Sequence, residues 1–293
     1  MYLKKFIESS LYMLKVRSIN LDYAEALKRN RFYHNDDPVS THFFNALQTV
    51  FPSGERFFID LARDSLVEFE KHSDKDPSYN KLKENIHGFI KQEARHSKEH
   101  GEVAKILEES GYEFIKPLME RQEKLRIHNN EKLSLHWRAA FTAAVEHFTS
   151  SFAYMVLLKD SNIIEKFSEP AFSELFFYHA VEEVEHRCIA HDICEKMGVS
   201  GGLRAFTFLL IILDQMINIR LRQRLFMQAD DKWSFKYRYR AWKFVWGMNG
   251  IAWQMMPILL SYFKPRFDPE KIFNAEEIAC INEQCENYGV EGI

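Results

Sequence analysis

Two copies of the pattern Glu-x-x-His, each within a segment predicted to be helical, constrain this chain more than any other feature. The first copy is Glu93-x-x-His96 and the second is Glu183-x-x-His186. Three residues are close to one helical turn, so each glutamate and its histidine point in the same direction. Those helix faces also carry apolar residues such as Ile90, which indicates that they face a core. Imidazoles and carboxylates in apolar surroundings need a compensating partner, and a metal ion is the natural candidate.

Two further glutamates occupy apolar helix faces elsewhere in the chain. Glu55 shares a face with Phe58 and Ala62, and Glu146 shares one with Ala143. The order Glu, Glu-x-x-His, Glu, Glu-x-x-His is that of ferritin-like di-iron and di-manganese carboxylate proteins. We therefore predict an all-α protein built on a ferritin-like four-helix bundle that holds two metal ions. Mixed oxygen and imidazole donors favour iron, manganese or zinc over calcium or magnesium and do not choose among the three. We expect iron, with manganese and zinc as alternatives.

Two histidines lie close to these patterns. His179 precedes Glu183 by four residues on the same stripe, and we predict it as an additional ligand. His100 follows His96 by four residues, and antiparallel packing of the second and fourth bundle helices would bring it beside His179. We expect His100 to orient a ligand, with direct metal binding as the alternative. Glu182 is likewise expected either to orient a ligand or to bind metal directly. Glu185 is expected at the surface.

Composition and charge narrow the class of protein. The chain has 293 residues, of which 46% are hydrophobic, with only 11 Gly and 8 Pro, which suits a single helical domain over 1–293. A net charge of -3 argues against a nucleic-acid partner. The four cysteines form no CxxC pair, and residues 1–15 lack the features of a signal peptide. We expect a cytoplasmic protein, and we find no uninterrupted apolar run long enough to cross a membrane.

Within the domain we expect a bundle core at about 42–197, an apolar helical hairpin at about 203–263 and a polar tail at 264–293. Pro52 is predicted to end a helix that starts behind Ser40 or Thr41, with Ser53 capping the next one. Residues 112–132 are predicted to form a polar crossover between the second and third bundle helices.

The apolar hairpin at 203–263 is predicted to pack against the bundle. Its tryptophans and tyrosines lie beside lysines and arginines, a combination that also suits an interface. Peripheral membrane contact and homodimer formation therefore stay open as alternatives for this region.

Several stretches resemble the bacterial family described as predicted metal-dependent hydrolases, over roughly residues 15–270. They are HFFNALQTVFPSGERFF, QEARHSKEH, AAFTAAVEHFT, HAVEEVEH and YFKPRFDP. The spacing from His179 to His186 is also similar to that of the arylamine N-oxygenases, ferritin-like di-iron enzymes with a third histidine ligand. Carried over by position, that resemblance implies seven metal ligands: Glu55, Glu93, His96, Glu146, His179, Glu183 and His186.

Our primary hypothesis for function is a non-haem di-iron oxygenase or oxidase that activates O₂ to oxidise a small apolar or aromatic substrate. Such an enzyme would draw electrons from an electron-donor protein. One alternative is a dinuclear metal-dependent hydrolase, in which the metals lower the pKa of a water molecule. A non-catalytic metal-binding protein is the second. Beyond the metal ligands, the sequence assigns no catalytic residue and no other cofactor.

Overall fold

The computed structural model describes residues 14, 16–17, 19–72, 76, 78–158 and 162–293. This part of the chain is α-helical and contains no strand, which confirms the predicted all-α class. Most of residues 1–15, which carry the expectation about a signal peptide, lie outside the described residues. The α-helices are α1 (Tyr23–Arg29), α2 (Pro38–Glu70), α3 (Ser78–Glu109), α4 (Ile115–Lys132), α5 (Leu135–Leu158), α6 (Pro170–Lys196), α7 (Gly201–Ala229), α8 (Phe235–Trp246), α9 (Ile251–Ser261) and α10 (Ala275–Asn287).

Helices α2, α3, α5 and α6 form a four-helix bundle. α2 packs most extensively on α3, and α5 on α6, while α3–α6 and α2–α5 contacts close the ring. Side-chain contacts between α3 and α6 join Gln92 to His186, His96 to Glu182 and His100 to His179. The residue number falls on one helix as it rises on the other, so these two helices are antiparallel. This confirms the predicted approach of His100 to His179.

The first bundle helix differs from the prediction. α2 begins at Pro38, where the Asp37 side chain accepts a hydrogen bond from the Ser40 backbone N–H at 3.3 Å, and it continues through Pro52. A proline inside a helix removes one backbone hydrogen bond and costs about 3 kcal/mol. Extensive packing on α3 offsets this cost, and Ser97 Oγ of α3 donates to the Pro52 carbonyl at 3.0 Å. Tertiary contact therefore overrides the local signal for a break.

The segment expected as a polar crossover is the helix α4. Its sequence is rich in glutamate, lysine, arginine and leucine, all good helix formers, but it has no continuous apolar stripe. Arg126 of this helix binds Glu123 one turn away and Asp60 on α2. The pair with Asp60 holds α4 against the bundle while most of the helix surface faces solvent. The segment does connect α3 to α5, as predicted.

The apolar stretch after the bundle forms three helices rather than a hairpin of two. The chain turns between α8 and α9 at Gly250, where a Cβ atom would clash with the Val245 carbonyl. α7 packs one face on α2 and α5, and Arg222 within that face donates to the Thr49 carbonyl at 3.0 Å. By length and composition α7 could cross a membrane, and only 28% of its most apolar window is buried.

The segment expected as a polar tail also contributes to the core. Asn274 and Glu277 form a reciprocal capping box at the start of α10. Ile281 and Cys285 of this helix are fully buried in the main hydrophobic cluster. The C-terminal helix is therefore packed onto the bundle through one apolar edge.

Candidate metal centre

α6 supplies three of the predicted ligands. It begins at Pro170, with Glu169 at the N-cap position, and a turn at Gly198 with φ of +69° follows its end. The helix places His179, Glu183 and His186 on its inward face, and all three side chains are buried. His186 Nδ1 lies 3.6 Å from Glu183 Oε1, and His179 Nε2 lies 2.9 Å from the same oxygen. One carboxylate is thus flanked by two imidazoles on adjacent turns.

The other bundle helices complete the cluster. Glu93 Oε1 of α3 is 2.8 Å from His186 Nδ1 and 4.0 Å from His96 Nδ1. Glu146 Oε2 of α5 lies 3.6 Å from His186 Nδ1. Glu55 of α2 groups with His96 and His179, with one donor atom from each residue within 4.8 Å of the others. The structure therefore brings all seven sequence-predicted residues into one buried cluster, while their role as ligands stays a prediction.

Many polar atoms of this cluster have no hydrogen-bond partner in the described part of the chain. Both carboxylate oxygens of Glu55, Glu93 and Glu146 are buried in this way, as are Nδ1 of His96 and His186. A buried polar atom without a partner costs free energy, and a buried carboxylate costs more. Four carboxylates facing two divalent cations would approach neutrality. The donor set therefore fits a pair of metal ions, which the unsatisfied atoms would coordinate.

Electrostatics in the cluster point the same way. Burial, followed by repulsion from neighbouring carboxylates, raises the pKa of Glu55 and Glu146 well above its usual range. Burial acts in the same direction on Glu183, but the adjacent imidazoles of His179 and His186 hold its pKa well below that range. Burial also lowers the pKa of His96, which keeps a neutral imidazole with a free lone pair. Neutral imidazole is the form that binds metals. His186 differs: burial would lower its pKa, but the carboxylates of Glu93, Glu146 and Glu183 raise it well above its usual value, so a metal ion would displace a proton there.

Two buried side chains contact the histidines from behind. His186 Nε2 is hydrogen-bonded to Gln92 Oε1 at 3.0 Å, and His96 Nε2 lies 2.9 Å from Glu182 Oε2 without good hydrogen-bond alignment. Each of these partners directly precedes the inward glutamate of its own helix. Both leave Nδ1 of the histidine directed into the cluster, which is how partners of metal-bound histidines usually act.

Arg17 fixes the outer side of this arrangement. Its Nη1 lies 3.4 Å from Glu182 Oε1, and its Nη2 donates to Glu185 Oε1 at 2.8 Å. Gln92 also donates to Glu185, at 2.7 Å. Glu185, which the sequence placed at the surface, therefore has only 11% of its side chain exposed and links the two helices. Sequence reasoning missed Gln92 and Arg17; the position of Gln92 directly before Glu93 was the available signal for the first.

The tautomers of two histidines follow from a hydrogen-bond chain. His100 Nδ1 is hydrogen-bonded to Gln48 Oε1, and a carbonyl oxygen can only accept. His100 is neutral because burial lowers its pKa, so its Nε2 accepts a hydrogen bond from His179 Nδ1. His179 Nε2 is then left with a free lone pair directed at the cluster. This geometry suits His179 as a donor to a metal and His100 as the residue that orients it.

An apolar cavity of about 420 Å³ ends on the cluster. Glu55, His179 and Glu183 form its inner wall, and Phe148 and Met255 are among its apolar lining residues. Thr149 also lines the cavity, where its hydroxyl donates to Glu183 Oε2. The carboxylate–histidine cluster is therefore accessible to a small apolar molecule.

The fold and the cluster define an all-α protein with a buried carboxylate–histidine site suited to binding metal ions. Comparison with protein-family models agrees, since the model of the predicted metal-dependent hydrolases matches residues 15–272. The chain belongs to that family, as the sequence motifs indicated. Searches of curated proteins and of solved structures returned no significant match.

Proposed function

We propose that this protein is a dinuclear metal enzyme that uses dioxygen to oxidise a small apolar substrate, with iron as its metal. The observation that carries the proposal is the apolar cavity that ends on the carboxylates of the cluster. A pair of Fe(II) ions, when bound, supplies two electrons to dioxygen. An apolar cavity around such a site favours an apolar substrate and keeps water from a reactive oxidant.

The residues of the chain have separate roles in this proposal. The apolar lining, including Phe148 and Met255, would bind and orient the substrate. Thr149 donates its hydroxyl proton to Glu183 Oε2 at the cavity wall and so holds that carboxylate in one orientation. His100 fixes the ring of His179 through Nδ1, so that its Nε2 keeps one orientation during turnover.

Hydrolysis by the same site is the second candidate, and the description of the family favours it. A hydrolase of charged esters would need a cationic group to bind its substrate near the metals. Two arginines line the cavity: Arg126 is engaged by Glu123 and Asp60, and Arg220 lies over the ring of Trp233 and donates to Gln223. Because the rest of the lining is mostly apolar, uncharged substrates such as lipophilic esters suit the hydrolytic alternative best.

Dioxygen uptake by the iron-loaded protein separates the two candidates. We expect the Fe(II) protein, mixed with aerated buffer in an oxygen electrode, to consume dioxygen and to oxidise its iron. The Glu93→Ala variant should consume dioxygen much more slowly. A matched Glu99→Ala variant, which removes a buried carboxylate of the same helix that accepts from Tyr23, should retain uptake. Unreacted Fe(II), together with cleavage of uncharged nitrophenyl esters by the zinc-loaded protein, would support the hydrolase instead.

A further inference from the structure

The outward face of α7 and its neighbours is apolar. Of the 18 large apolar side chains exposed in the described residues, 13 lie within 206–260. Seven of them are on α7, where a single residue or an adjacent pair recurs about every three or four residues: Phe206, Leu209, Leu210, Leu213, Met216, Ile217 and Leu221. Phe235, Trp242 and Trp253 extend this apolar face over α8 and α9, each more than half exposed. A contiguous patch of this kind marks an interaction surface.

Basic and aromatic residues border the apolar face. Three arginines surround the ring of Trp233. The guanidinium carbon of Arg220 lies 4.8 Å from the ring centroid, and the guanidinium carbons of Arg224 and Arg238 each lie 5.8 Å from it. Residues 203–263 contain nine lysines and arginines but only three acidic residues, although the whole chain has a net charge of -3. Positive charge and tryptophan beside an apolar face match the headgroup region of an anionic phospholipid bilayer.

The mouth of the cavity lies on the same face. Met216 and Trp242 are exposed members of the apolar face, and both also line the cavity that ends on Glu183. A second copy of the chain seated there would cover the mouth and bring two positively charged regions together. An anionic bilayer would attract the arginines instead, and molecules dissolved in it could enter the cavity directly.

We propose that the apolar face at 206–260 is a peripheral membrane-binding surface that recognises anionic phospholipid. Bulky apolar side chains enter the outer part of the bilayer while the arginines around Trp233 contact the headgroups. α7 lies along the membrane surface and does not cross it, because its other face, with Arg222, is packed on the bundle.

Vesicle sedimentation with the full-length, metal-loaded protein tests this proposal. Vesicles of equal parts phosphatidylcholine and phosphatidylglycerol should bind the wild type, more weakly as salt is added, and phosphatidylcholine alone should bind less. The Leu213→Glu/Ile217→Glu double variant should lose at least about tenfold in partitioning, because two charges would enter the apolar layer. The matched control Val67→Glu, at an exposed apolar position on α2, should bind like the wild type.

Tryptophan fluorescence gives a second readout, since four of the five tryptophans lie within 233–253. Their emission should shift to shorter wavelength when vesicles are added. The proposal is overturned if the wild type does not sediment with anionic vesicles, or if the double variant binds as well as Val67→Glu. It is also overturned if the wild type is a dimer that does not bind vesicles and that the Ile217→Glu substitution dissociates. Neither assay requires turnover, so its outcome is independent of the proposed oxidation.

Discussion

Glu182 provides a quantitative test of how the buried histidines are oriented. Replacing Glu182 with alanine removes the carboxylate that lies 2.9 Å from His96 Nε2 and leaves that ring free to turn. Outer partners of metal-bound histidines contribute about 10–100-fold in affinity, which corresponds to about 1.4–2.7 kcal/mol. Glu182 is completely buried, so bulk water does not simply replace it, but its contact with His96 lacks good hydrogen-bond alignment; we therefore expect a loss within this range and not beyond it.

A more conservative change at the same position should have a smaller effect. Gln92 already performs the equivalent role at His186 through an amide oxygen. Glu182→Gln should therefore retain the orientation of His96 and lose less than about tenfold in metal affinity. Glu99→Ala serves as the control, since it deletes a buried carboxylate of α3 that contacts Tyr23 and no histidine of the cluster.

The assay is a competition titration of zinc between the protein and a chromophoric chelator. The expected order of affinity is wild type and Glu99→Ala, then Glu182→Gln, then Glu182→Ala. If Glu182→Ala bound zinc as tightly as the wild type, Glu182 would not be needed to orient His96. Equal losses in Glu99→Ala and Glu182→Ala would show a general effect of destabilisation, and would refute the orienting role.

Three further predictions concern other parts of the molecule. His179→Ala should retain bound metal but change the absorption spectrum of the cobalt-substituted protein, because one nitrogen donor is lost; an unaltered spectrum would place His179 outside the coordination sphere. Asp230→Asn should lower the free energy of unfolding by about 1–3 kcal/mol near neutral pH, since this carboxylate accepts from His42 at 2.9 Å and from two further donors. Burial would raise the pKa of Asp230, but these hydrogen bonds hold it below its usual value, so the stabilisation is present above the unfolded pKa and disappears as the pH falls through the lowered one. Urea titrations at neutral and acidic pH measure this, and a pH-independent difference would contradict it. Ala252→Phe should narrow the cavity and weaken binding of a small apolar fluorophore while metal content is unchanged; undiminished fluorophore binding would place the binding site elsewhere.

The bundle and its cluster could be predicted because two independent patterns coincide in the sequence. The 3.6-residue periodicity of α3 and α6 and the chemistry of Glu93, His96, Glu183 and His186 select the same helix faces. An acid on an apolar stripe is costly enough to be informative, whereas an acid on a polar face is not.

Other features depend on contacts between residues that are distant in the chain. Arg17 reaches Glu182 across 165 positions, and no local pattern indicates that pairing. Gln92 appears as an ordinary polar residue until α6 is placed beside it. Helix propensity correctly treats Pro52 as a breaker, but the packing of α2 on α3 outweighs its cost. The polar composition of α4 likewise gives no stripe from which a helix could be predicted.

Elemental analysis of the purified protein tests the central claim most directly. We predict two metal ions per chain in the wild type and loss of most of this metal in both Glu93→Ala and His186→Ala, with Glu99→Ala as the folded control. Retention of two metal ions per chain by both ligand variants would contradict the account of the buried cluster as a dinuclear metal centre.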